Sequence, residues 1–307
     1  MKPAAIMVVL LLIASFTLAQ QTQPTSTPQT QPSQGGASPA TMPQQGAPST
    51  PGAKRPPQAK TQPEYQAYQE AMKNQGDPAA MEKAADDFAA KFPDSELRAL
   101  LYRTAMHGYQ AANNVEKMSE LAQKILKIDS DDPEALIAAA DMLAERTRDT
   151  DLDKDQRLAE AQKDAQRALQ TVDTDVAIPA NTPQERVDQY KGFLRSSAYS
   201  ILGTIAFNQK NYTEAESQFR KSIDALPSQP DPVVVLRLAI ALDNQGKYPD
   251  ALKEANRAVD LTQENTSAGT LARRERDRLV QLTGGSAPAP ASKPPSGAAQ
   301  NSNPPSN

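Results

Sequence analysis

One short run gathers the residues best suited to holding a metal ion. Asp149-Thr150-Asp151-Leu152-Asp153-Lys154-Asp155 is followed by Glu160, so acids stand at positions 1, 3, 5, 7 and 12 of a twelve-residue stretch. That is the spacing at which a calcium-binding loop wraps carboxylate oxygens around a hard cation. The position that needs glycine for the sharp turn is occupied by Lys154. The same acids also read as a solvated insertion that caps a helix beginning near Lys154. A second pair is Arg103 and His107, one helical turn apart, with His107 the sole histidine of the chain. Two cationic donors at that spacing suit a carboxylate, through charge-assisted hydrogen bonds.

The remaining composition narrows the chemistry. Among 307 residues there is no cysteine, which excludes disulfides, thiolate metal sites and a cysteine nucleophile. One histidine leaves no His-rich metal centre and no second base to activate a nucleophile. Gly35-Gly36 and Gly284-Gly285 do not stand in a phosphate-loop pattern. All 37 acids fall in 64–283, against 28 Lys and Arg there, so this region carries a net charge of −9 and is a poor partner for nucleic acid. No enzyme, metal or cofactor is expected.

The elements that must position these residues lie in the middle of the chain. Residues 20–63 hold 10 of the 26 prolines and 284–307 hold 6. These two stretches are rich in Gln, Thr, Ser and Ala and cannot bury enough apolar surface to order themselves, so they read as disordered linkers or tails. Met1-Lys2-Pro3 precedes an uncharged apolar run, Ala4 to Ala19, with small residues at Thr17 and Ala19. That is the pattern of a secretory signal peptide, with an N-terminal anchor as the alternative. The expected organisation is therefore a signal or anchor over 1–19, a linker over 20–63, a helical domain over 64–283 and a tail over 284–307. The expected location is the periplasm or beyond, with membrane contact only through residues 4–19.

Within 64–283, apolar residues recur at i, i+3, i+4 and i+7. Thr182-Pro183-Gln184-Glu185 predicts a capping box that opens a long helix running to about Gln209. Ser267 to Leu282 predicts a polar capping helix that ends at Gly284-Gly285. Internal repetition is the main signal. Residues 196–227 carry Tyr199, Leu202, Gly203, Ala206, Tyr212, Ala215, Phe219 and Pro227. Residues 232–263 carry Val235, Leu238, Ala239, Leu242, Gly246, Tyr248, Ala251, Ala255 and Ala258. Both resemble the 34-residue tetratricopeptide repeat. Residues 99–132, the unit from Pro133 with an insertion over Arg146 to Asp155, and a fifth unit over 64–93 resemble it too.

The resemblance implies an all-α fold, a right-handed superhelix (α-solenoid) of about five helix–turn–helix repeats with a C-terminal capping helix. It implies a non-enzymatic scaffold or adaptor of the bacterial envelope that binds a protein or peptide in a concave groove lined by first helices. By repeat position the groove residues would be Arg103, His107, Asp141, Glu145, Ser200, Thr204, Asn208, Arg237 and Asn244. It also implies that the aromatic at each intra-repeat turn packs under the next helix. The alternative reading is a structural spacer whose insertion at 149–160 responds to calcium through Asp149, Asp151, Asp153, Asp155 and Glu160.

Overall fold

Alanine at helical spacing builds this fold. Ala161, Ala165 and Ala168 are buried on one helix, and Ala251, Ala255 and Ala258 on another. Their small side chains let backbones approach closely while adding little side-chain entropy cost. The computed structural model describes residues 54–176, 178 and 182–284. The signal segment 1–19 and most of both Pro-rich stretches lie outside them.

Among the described residues every regular element is a helix. They are α1 (Gln62–Met72), α2 (Pro78–Lys91), α3 (Leu97–Ala111), α4 (Val115–Leu126), α5 (Pro133–Arg146) and α6 (Lys154–Thr171). They continue with α7 (Gln184–Asn208), α8 (Tyr212–Ala225), α9 (Pro232–Asp243), α10 (Tyr248–Asp260) and α11 (Ser267–Thr283). None is long and apolar enough to cross a membrane. The chain divides into one compact unit through Asp231 and another from Pro232 onward.

In the first unit each helix packs on the next in sequence, and first helices of neighbouring pairs also adjoin, α1 with α3 and α5 with α7. This is the expected all-α solenoid of consecutive helix pairs. Phe88, Leu101, Leu121 and Ile125 anchor the core of the first two pairs. Leu158, Ala165, Ile201 and Ile205 anchor the next. In the second unit α9, α10 and α11 pack mutually, with Val235, Leu238, Leu242 and Leu279 buried.

The helix boundaries follow local chemistry. Thr61 and Glu64 form a capping box on α1. Asp77 and Asp132 cap α2 and α5 ahead of a proline at the first helical position. Within three pairs the turn is made alike: Asn113, Lys210 and Gly246 take left-handed φ values of 56°, 61° and 73°. The next residue, Asn114, Asn211 or Lys247, then starts the second helix. Gly284 ends α11 in the same left-handed conformation, as its position predicts.

Four expectations need correction. The long helix α7 starts where expected, but its N-cap residue is Pro183 rather than Thr182, and Pro183 has no side-chain donor or acceptor to cap with. Proline at that position fixes the extended backbone that enters the helix. The aromatic at the turn of the fourth pair, Tyr212, meets Phe207 of the preceding helix α7, with centroids 5.4 Å apart, where packing under the next helix was expected. Tyr248 stays 39% exposed. The linker does not extend to residue 63: residues 54–60 are fixed against the loops between helix pairs, because each of their cations finds an acceptor there. α1 likewise begins at Gln62 rather than at 64.

Candidate partner-binding face

The face where α3, α5 and α7 meet is organised by one carboxylate. Glu134 is in the first turn of α5, directly after the cap Asp132 and Pro133. Its Oε2 lies 2.6 Å from His107 Nε2, and its Oε1 accepts from the Tyr190 hydroxyl. Arg103, one turn before His107 on α3, bonds Asp132 through Nη2 and places Nε 3.7 Å from Glu134. Asp132 also accepts from the Ala135 N–H at 2.9 Å, so it caps α5 and holds Arg103 together.

Burial decides what this cluster can do. The Arg103 side chain is 11% exposed and Asp132 only 1%, whereas His107 is 51% exposed. Arg103 is thus an interior cation that ties α3 to α5, and not a free groove contact. His107 stands at the rim, with one ring nitrogen committed to Glu134.

The same partners set the titration of the cluster. Burial raises the Asp132 carboxyl above the usual carboxylate range, with Arg103 opposing and Glu134 reinforcing the rise. Burial would raise Glu134 also, but His107 and Arg103 outweigh it and hold Glu134 low. For His107 burial disfavours the imidazolium, yet the Glu134 carboxylate prevails and raises it. A single histidine makes this directly readable. Its C2 proton is expected to titrate above the ordinary value of about 6.5, and Glu134→Gln is expected to move the midpoint down. Because the folded value is raised, the stability that protonated His107 contributes is complete below about pH 6.5. It is lost as pH rises through the folded value, so the stability difference from His107→Gln should shrink over that interval in urea titrations.

The other groove candidates are distributed more widely. Asp141 and Glu145 are exposed on α5 and interact with other groups of the chain. Asn208 at the end of α7 donates to the Ala144 carbonyl at 3.3 Å and so reaches α5. Thr204 is buried and donates to the Ser200 carbonyl at 3.0 Å. Arg237 and Asn244 belong to the second unit, where Asn244 donates to Ile240 O at 2.8 Å. The structure therefore joins Arg103 and His107 through Glu134, and α7 to α5 through Asn208.

The acidic run does not gather as a calcium loop. Lys154, where glycine was needed, starts α6, so Asp155 and Glu160 are on a helix. Asp149 is 2.6 Å from Lys154 Nζ. Asp151 accepts from the Arg148 N–H at 2.9 Å and faces Arg157 at 3.5 Å. Asp153 precedes α6 without a side-chain cap bond. Among the described residues, no three His, Cys, Asp or Glu side chains are placed to hold one metal ion.

Glu134, Asp132 and Tyr190 were not singled out by the sequence. Asp132-Pro133-Glu134 reads as a helix start, which it also is. Its position at the head of a first helix was the available signal for Glu134. Tyr190 lies ahead of the 196–227 repeat, in the three extra turns of α7.

No protein-family model matches the chain, and no curated protein matches it. Among solved structures, it is similar to the Assembly Chaperone of RpL4 (Acl4, residues 1–338), with 14% identity over 72% of this chain and 99% of that one, at a TM-score of 0.35.

Proposed function

We propose that the chain is an exported, non-enzymatic scaffold or adaptor of tetratricopeptide-repeat type in the bacterial envelope, and that a segment of a partner protein lies along its first helices. The observation that supports this most is the side-by-side placement of first helices, α1 beside α3 and α5 beside α7. It creates a face with half-exposed His107 and exposed Asp141 and Glu145 on successive turns. Such a face offers a row of polar side chains on a rigid support, which suits recognition of an extended or helical protein segment. The leading apolar segment, Ala4 to Ala19, supports export.

The test is a photo-crosslinking amino acid at Asp141 or Glu145, in the full protein expressed in its native host. The expected result is one dominant protein adduct from these sites and none from Glu120, which is exposed on α4, a second helix. Equal adducts from Glu120 and from α5, or none from α5 with the protein folded and exported, would refute the first-helix face.

A further inference from the structure

Residues 54–60 read Lys-Arg-Pro-Pro-Gln-Ala-Lys and form no helix. They lie across three loops, each joining one helix pair to the next. Lys54 Nζ is 2.7 Å from Asp129 and 3.5 Å from Asp175, and the Lys54 N–H donates to Thr174 O at 2.7 Å. Arg55 is 2.5 Å from Glu96. Lys60 Nζ donates to Asp94 O at 2.7 Å. The α2–α3, α4–α5 and α6–α7 loops are thereby bridged by a single strap.

The strap has the features of a bound peptide. Pro57 and Ala59 are half-buried, whereas Pro56 and Gln58 are exposed, so alternate residues face inward. Ala59 packs on the core of the first two pairs. The two prolines pre-set an extended backbone, which lowers the entropy cost of docking. The surface opposite is acidic for a structural reason. Asp94 and Glu96 stand just before α3 and Asp129, Asp131 and Asp132 just before α5, near their positive ends, while Asp175 lies in the α6–α7 loop, and the strap's bonds show these loops along one edge. Asp129 and Asp175 outweigh the burial that would lower Lys54 and hold its ammonium charged.

We propose that this acidic loop edge is a binding surface for basic, proline-bearing protein segments in extended conformation, and that residues 54–60 fill it as an internal ligand that such a segment displaces. This surface is separate from the first-helix face, and its test reads the loop edge alone.

The probe is a fluorescein-labelled peptide with the sequence of residues 52–62, followed by anisotropy against two full-length chains. One is unmodified and the other carries Lys54→Glu, Arg55→Glu and Lys60→Glu. A tethered segment competes at an effective concentration of about millimolar. The peptide should therefore bind the charge-reversed chain at least about tenfold more tightly than the unmodified one, and less tightly as salt rises. Equal affinity for both chains, or no binding to a charge-reversed chain with intact helical circular dichroism, overturns the proposal. A second measurement covers a charge-reversed chain that does not fold. Gln58→Cys supplies the chain's sole thiol for a nitroxide label. Its spectrum should be immobilised and should become mobile with excess unlabelled peptide. A label that is mobile from the start, or one that saturating peptide leaves unchanged, equally refutes displacement.

Discussion

Replacing Phe219 with alanine is expected to destabilise the first unit by about 3–5 kcal/mol, the range for emptying a well-packed aromatic site. Phe219 is fully buried on α8, and Gly203 on α7 faces it. A Cβ built at Gly203 would lie 2.5 Å from two carbons of the Phe219 ring. Glycine is therefore required by close approach, although it weakens a helix interior by about 1 kcal/mol relative to alanine. Gly203→Ala should be destabilising because displacing the ring costs about 1–3 kcal/mol, which meets or exceeds the propensity gain. The pair should couple: in a chain already carrying Phe219→Ala, Gly203→Ala should become neutral or stabilising, since the clash is gone. Urea unfolding of the four chains of that cycle measures the coupling, and additivity within about 0.5 kcal/mol would show that ring and glycine do not share a packing constraint.

The repeat puts Gly203 and Phe219 on the two helices of one pair, but only the structure shows that the ring meets this glycine. The helix boundaries at Pro133 and Gly284 were legible in the sequence, whereas the cap at Asp77-Pro78 came only from the structure. Local spacing and local capping encode these features, and a repeat places neighbouring helices against each other. What spacing could not show is which polar groups meet across helices. Tyr190 reaches Glu134 from 56 positions away, and Arg103 reaches Asp132 from 29.

The basic strap is the clearest case of that limit. By composition residues 54–60 belong with the Pro-rich linker, and nothing adjacent to them suggests order. Their partners Asp94, Glu96, Asp129 and Asp175 are brought to one edge only by the stacking of three helix pairs. The acidic insertion fails in the opposite direction. Its spacing was suggestive, but Lys154 continues into α6 and pairs with Asp149, so the backbone never makes the turn that calcium would need.

Arg103→Ala is expected to cost about 3–5 kcal/mol, because it strands carboxylates that are nearly excluded from water. Asp132 would lose its cation while still capping α5, and Glu134 would keep only His107 and the Tyr190 hydroxyl. The penalty should shrink as pH falls. Burial already pushes the Asp132 carboxyl up, and without Arg103 a proton can take over the neutralising role at mildly acid pH. Adding Asp132→Asn, which keeps a capping side chain, should recover part of the loss at neutral pH. Arg103→Met should resemble the alanine variant, since the stem is not what Asp132 requires. This outcome also governs how partner contacts are tested on α3. A charge reversal at Arg103 would lower binding simply by disturbing the junction of α3 and α5, so it cannot by itself identify a contact. If Arg103→Ala left the urea midpoint unchanged while the crosslink from α5 disappeared, Arg103 would be a partner contact, and the role of interior tie between helix pairs would be wrong.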